Sequence, residues 1–182
     1  HAPGVRFTGT DLPESSFDGA NLQGAVLAAE IATQCCFDNC NLAGATLTRI
    51  RGARLCADAA NLTKADLSRA DLEAASFQRS VLQGANFVGS VLHRTRFIGA
   101  DLTLARMQGS EMEQVFLDHA RLDHADLSGA NLRQARMHGT STEDTNFTGA
   151  NLAHVDDTDD ERRRAEAIRA GPSAASPEET MA

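Results

Sequence analysis

The sequence predicts an all-β solenoid, one chain wound into square coils of twenty residues that hydrogen-bond coil to coil. Three observations predict it. A large apolar residue returns at every fifth position, a small residue stands two places before it, and glycine gathers two places after it. No helix or flat strand carries that pattern, because their side chains repeat at about 3.6 and 2 residues.

The stretch ANLTKADLSRADLEAASF, residues 60–77, sets the register. With the large residue as the centre of each five, centres run Phe7, Leu12, Phe17, Leu22, Leu27 and onward to Phe147 and Leu152. That is thirty repeats without insertion or deletion, and only Ala32, Gly52, Ala57 and Thr142 are not large and apolar. Seven of the eight Phe are centres; the exception is Phe116. A unit that turns the chain by a right angle closes a square in four repeats. The centre and the small residue before it then point inward, and the other three positions face water. Stacked at the parallel-strand spacing of about 4.8 Å, the coils make a rod roughly 36 Å long.

Eleven of the fourteen Gly lie two residues after a centre, Gly19 and Gly99 among them. A β-turn starting at the centre needs positive φ there if it is of type II, which glycine supplies. Repeats with Arg or Gln at that position are expected to use another turn type.

Taken in order, residues 1–4 are an N-terminal extension, and the start HAPGV lacks Met, as a trimmed or processed terminus would. Residues 5–154 are the coils. Within them RIRGARLCADAA exchanges sizes: Gly52 and Ala57 are small centres, and Ile50 and Leu55 are large where small residues belong, so volume is kept. Glu30 falls at an inward position, and a buried carboxylate is costly, so irregularity is expected over 29–58. Residues 155–171, with acids early, Arg late and Gly171-Pro172 at the end, read as a capping helix over the last coil. Residues 172–182 have the composition of a flexible tail.

The repeats ADLSRADLEAASF, GANLQGAVL and TGANL resemble the pentapeptide-repeat family, whose pattern is A(D/N)Lxx, over about Val5 to His154. The resemblance implies a right-handed quadrilateral β-helix, here of about 7.5 coils. Some members of that family mimic B-form DNA, bind DNA gyrase or topoisomerase IV, and protect against quinolones or natural gyrase poisons. Members often pair through C-terminal regions. By that likeness Val155, Ala165 and Ile168 are the candidate contact of a homodimer joined at the C-terminal helix.

Net charge is −8, which disfavours direct binding of nucleic acid or an anionic membrane, and no apolar run approaches a membrane-spanning length. Cys35, Cys36, Cys40 and Cys56 match no zinc spacing and are expected as free thiols, which suits a cytoplasmic location; Cys36 and Cys56 share a position one coil apart, and parallel stacking disfavours a bridge. His119, Asp118 and His138 are brought near one another by the coil but read as solvated residues, and no metal, cofactor or catalytic group is expected. Asn21, Asn41 and Asn61 form a column suited to an amide ladder.

Sorting charge by face separates two functional readings. The Leu12 face carries the acids Asp11, Glu14, Asp71, Glu73, Glu111 and Glu113, with Glu30, against four Arg, a net −3. The Phe7 face carries Arg6, Arg49, Arg69 and Arg106 against Asp66 and Asp126, a net +2; the Phe17 and Leu22 faces are −1 and −2. A DNA mimic needs a dense negative stripe. The mixed surface favours a non-enzymatic interaction or scaffold module with an unidentified protein partner, and the acidic face makes a topoisomerase-binding DNA mimic the alternative.

Overall fold

The computed structural model describes residues 4–8, 11–28 and 31–157. Strands β1 (Arg6–Thr8) and β2 (Val26–Ala28) pair in parallel, with Arg6 opposite Val26. Beyond them the pairing continues as single parallel bridges, each joining residues twenty apart: Ser16 to Cys36, Asn41 to Asn61, Arg51 to Asp71, and so on to Arg136 with Asp156. Four such bridges occur per coil, each set off by a turn, so the chain is a four-sided solenoid.

Backbone amides leave no coil independent of the next. Leu42 N donates to Asn61 O at 2.7 Å, and Asn61 N donates back to Cys40 O at 2.8 Å. The corners join the same ladder: Gly44 N reaches Thr63 O at 2.8 Å and Arg49 N reaches Ser68 O at 3.0 Å. Most described corners also close on themselves, as Ala45 N does on Leu42 O at 3.0 Å.

This ladder corrects the expectation about turns. Arg49, Arg79, Gln114 and Gln134 take positive φ of 55–60°, close to the 64–66° of Gly84 and Gly99. Left-handed backbone costs an ordinary residue about 1–2 kcal/mol. Any other turn would pull the corner amide away from its acceptor in the next coil, and an unpaired amide costs a similar amount. Stacking therefore imposes one corner shape whatever the residue.

Centres and small residues are buried along the rod, as the register requires: Leu62, Leu72, Phe77, Phe87 and Leu122 are inaccessible, as are Ala65, Ala75 and Ala135. Phe17 stacks on Phe37 and Phe77 on Phe97, with ring centroids at 5.1 and 5.3 Å. Where the small position is polar, the hydroxyl donates to backbone: Ser90 Oγ to Leu67 O at 2.7 Å and Thr95 Oγ1 to Leu72 O at 2.9 Å. The exchanged stretch fills as expected, with Ile50 and Leu55 buried beside Gly52 and Ala57. The irregularity expected over 29–58 is not found in residues 31–58, whose bridges keep the common register; Glu30 lies outside the described residues.

At both ends the core is less covered. Phe7, Leu12, Phe17, Phe147 and Val155 are half-buried and Leu152 is exposed. The expected capping helix, and with it Ala165 and Ile168, falls almost wholly outside the described residues, as does the tail. Among the described residues no helix is long and apolar enough to cross a membrane.

Candidate interaction surface

Outward side chains stand in columns one coil apart, and neighbours in a column interact. Asn41 Nδ2 donates to Asn21 Oδ1 at 3.3 Å and Asn61 Nδ2 to Asn41 Oδ1 at 3.5 Å, the amide ladder expected of that column. The same Oδ1 atoms accept the backbone amide two residues on, from Gln23 N at 3.3 Å and Ala43 N at 3.2 Å, and Asn61 Oδ1 does so from Thr63 N at 3.1 Å, so each Asn braces its own corner.

The six candidate acids Asp11, Glu14, Asp71, Glu73, Glu111 and Glu113 share the Leu12 face, all outward and Glu113 half-buried. They do not form a bare stripe. Arg133 Nη1 pairs with Glu113 at 2.8 Å, Arg94 Nη1 approaches Glu73 at 4.0 Å, and Asn131 Nδ2 donates to Glu111 Oε2 at 3.0 Å. Arg51 and Arg54 stand exposed in the coil next to Asp71, one of the two that separate it from Asp11.

A corner groove next to this face is lined by none of the candidate site residues named from the sequence. It encloses about 660 Å³ between the column Arg94, Gln114, Gln134, His154 and the residues Phe116 and Arg136. Arg94 Nε donates to Gln114 Oε1 at 3.0 Å, and the Arg136 guanidinium lies 5.5 Å from the Phe116 ring centre. The signal was present: Phe116 is the one Phe off the centre register.

His119, Asp118 and His138 are not the solvated group expected. Asp118 is buried and pairs with Arg136 Nη2 at 3.5 Å, with its Oδ1 left without a partner. His138 Nε2 lies 3.2 Å from Asp156, and only His119 is exposed. Among the described residues no three His, Cys, Asp or Glu side chains are placed to hold a metal ion.

Several aspartates are held ionised. Burial alone would raise Asp66, but the Ser68 amide and hydroxyl, the Thr48 hydroxyl and the Asn86 amide outweigh it and lower its pKa. Asp126 is lowered by the Ser128 amide and hydroxyl, and buried Asp123 by the Ser141 hydroxyl. The four cysteines are free; burial, then the neighbouring Cys36, pushes the Cys56 thiol up to about 11.

A family model described as pentapeptide repeats matches in eight copies, over residues 1–28, 58–94, 70–109, 100–139 and 125–156. Among solved structures, a trypsin-treated variant of QnrB1, a plasmid-mediated fluoroquinolone resistance protein, is 16% identical; the match covers 95% of this chain and 99% of that one, at a TM-score of 0.51. HetL, from the cyanobacterium Nostoc sp. strain PCC 7120 and involved in heterocyst differentiation regulation, is 19% identical; its match covers 85% and 90% of the two chains, at a TM-score of 0.48. No curated protein sequence matches the chain.

Proposed function

Because the chain belongs to the pentapeptide-repeat family, we propose that it is a non-catalytic protein-interaction module, a right-handed four-sided β-helix whose outward columns are read by a protein partner. One observation carries this reading: among the described residues a ladder of parallel bridges between Arg6 and Asp156 holds outward side chains in fixed columns on four faces of different charge. Such a surface offers preorganised contacts at little ordering cost. Photo-crosslinking from outward positions on each face, in cells and with mass spectrometry, tests it. Repeated capture of one protein from one face is expected, and no reproducible adduct from any face overturns it. The reading includes a homodimer formed through the C-terminal region, with Val155, Ala165 and Ile168 at the contact. The thinly covered last coil around Leu152 and Val155 supports it.

A second reading has its own support in the six carboxylates of the Leu12 face: a DNA-mimicking binder of DNA gyrase or topoisomerase IV that protects it from quinolones or natural poisons. The likeness to QnrB1 supports the fold of such a protein and nothing beyond it. Pairing of Glu73 and Glu113 with arginines weakens the mimicry. A supercoiling assay with and without a fluoroquinolone decides this reading; neither inhibition nor protection at micromolar protein removes it.

A further inference from the structure

We propose that the Phe7 face carries a docking groove for an extended acidic segment of a partner protein, gripped by Arg49, Arg69 and Arg106. The proposal deepens the interaction-module reading and rests on it.

The three arginines are exposed around a groove of about 480 Å³. Among the described residues no carboxylate lies within ion-pairing distance of any of them; Arg51, Arg54, Arg79 and Arg96 on other faces are likewise without an ion pair, Arg94, Arg121, Arg133 and Arg136 each have one, and Arg49, Arg69 and Arg106 are the unpaired ones that line this groove together. Acids are present on this face but are engaged elsewhere. Asp66 accepts from Thr48 Oγ1 at 3.2 Å, Ser68 N at 3.0 Å and Asn86 Nδ2 at 2.9 Å. Asp126 accepts from Gln108 Nε2 at 2.8 Å, Ser128 N at 2.9 Å and Asn146 Nδ2 at 3.1 Å. Neutral donors hold both carboxylates, which stay ionised, so none of the three guanidiniums is ion-paired and the face keeps a net +2.

Arg49 and Arg69 occupy the same corner position one coil apart, a spacing of about 4.8 Å. Like charges stacked side by side are unfavourable in the free protein, and an incoming anion relieves that repulsion. The column above them is bare. Arg69 Cγ lies 3.9 Å from where a Cβ on Gly89 would stand, and nothing lies within 4 Å of that point on Gly109. The groove is therefore open along the rod axis toward Arg106.

Dimensions favour an extended peptide. Arg49 and Arg106 are three coils apart, about 14 Å, and an extended chain presents same-side residues about every 6.7 Å. Acids at alternate positions meet the three guanidiniums in turn, and half-buried Val88 offers apolar contact to their stems. Arginine suits the task, since its planar fork matches a carboxylate with two parallel hydrogen bonds. The basic strip is narrow, with flanking faces of net −3 and −2. A wide duplex would press its phosphates on those faces, and a single extended strand would not.

The test is fluorescence anisotropy on the full chain, with a labelled octapeptide of alternating Glu and Ser. Saturable binding that weakens with salt is expected. The variant Arg49→Gln/Arg69→Gln/Arg106→Gln should bind about tenfold more weakly or worse, since each exposed pair contributes up to about 1 kcal/mol. Glutamine already occupies the equivalent corner position of the Leu12 face at Gln34, Gln114 and Gln134, and Arg106 is an exposed residue beside a centre, so the fold should persist, with circular dichroism as the check. Arg94→Gln/Arg133→Gln on the neighbouring face should leave the affinity unchanged.

Three results overturn the proposal. One is a triple variant that binds within about twofold of the parent, below what three such pairs would give. Another is displacement of the peptide by inorganic phosphate or a single-stranded oligonucleotide at lower concentration than by unlabelled peptide. The third is a tenfold gain in affinity on neutralising Asp159, Asp160 and Glu161, which would make this chain's own acids the occupant. Crosslinks from another face, with the groove variant unaffected, remove the groove and keep the module; no crosslinks from any face remove both.

Discussion

Leu55 stands against Gly52: a Cβ on Gly52 would lie 3.2 Å from Leu55 Cδ1 and 3.1 Å from Leu72 Cδ2. The large residue that the repeat places at the centre has moved to the neighbouring inward position, and glycine is what makes room for it. Restoring the pattern at Gly52 alone should do harm. Gly52→Leu is expected to destabilise by about 1–3 kcal/mol through overpacking. Adding Leu55→Ala should recover most of that loss. Urea denaturation of the two single variants and the double gives the coupling, and additive effects would contradict the exchange.

Inward and outward positions should differ in kind. Phe77 is buried against Phe97 and Phe87, and Phe77→Ala should cost about 3–5 kcal/mol. Phe77→Asp and Leu72→Asp bury an unpaired charge and should prevent folding. Arg79, exposed two residues from Phe77, should tolerate Arg79→Glu with an unchanged melting temperature. Because Arg79 sits at φ 55°, Arg79→Gly is expected to leave stability level or raised by under about 1 kcal/mol. Thermal melts by circular dichroism measure all five.

Acid should unfold the rod through named carboxyls. Asp66, Asp123 and Asp126 have pKa values lowered below the ordinary 3.8. The stability they supply is therefore present above about pH 4 and is lost as pH falls through the lowered folded values. Denaturant midpoints from pH 7 down to 2 should stay level at first and then drop. Asp123→Asn should flatten part of that drop, and an equally steep fall in the variant would discount Asp123.

Native thiols should react slowly. Cys35 and Cys40 are buried with raised pKa values, and the Cys56 thiol stands near 11, so few thiolates exist at pH 8. Titration with a disulfide reagent should show these three reacting quickly only in denaturant. Prompt reaction of all four in the native protein would mean that the coil opens there.

Association is tested by removing residues 158–182. A dimer held at the C-terminal region should become monomeric by sizing with light scattering. A full-length chain already monomeric at high micromolar concentration would end the dimer reading.

The period of five made the core legible before any coordinates, because each inward position is a packing requirement that residue size reveals. Face charge was legible for the same reason: a position's place in the coil follows from its number. Corner conformation at Arg79 or Gln114 was not, because local preference points away from positive φ and only bonding to the next coil reverses it. The groove at Phe116 needed side-chain reach across a corner, which spacing does not supply. The engagement of Asp66 and Asp126 by hydroxyls and amides instead of arginines likewise depends on which of several near donors wins.

The twenty-residue ladder gives this protein a grammar of insertion. Adding or removing a whole coil would lengthen or shorten the rod and leave every downstream side chain on its own face. Adding one pentad would satisfy the core equally well, yet it would turn everything after it by a quarter revolution. Arg106 would leave the side of Arg49 and Arg69, and Glu111 and Glu113 would part from Asp71 and Glu73. Stability would hardly register such an event, while the pattern presented to a partner would be rewritten. In a chain built this way, recognition is far more vulnerable than folding to changes in length, and thirty repeats without a slip are what a surface with a fixed reading frame requires.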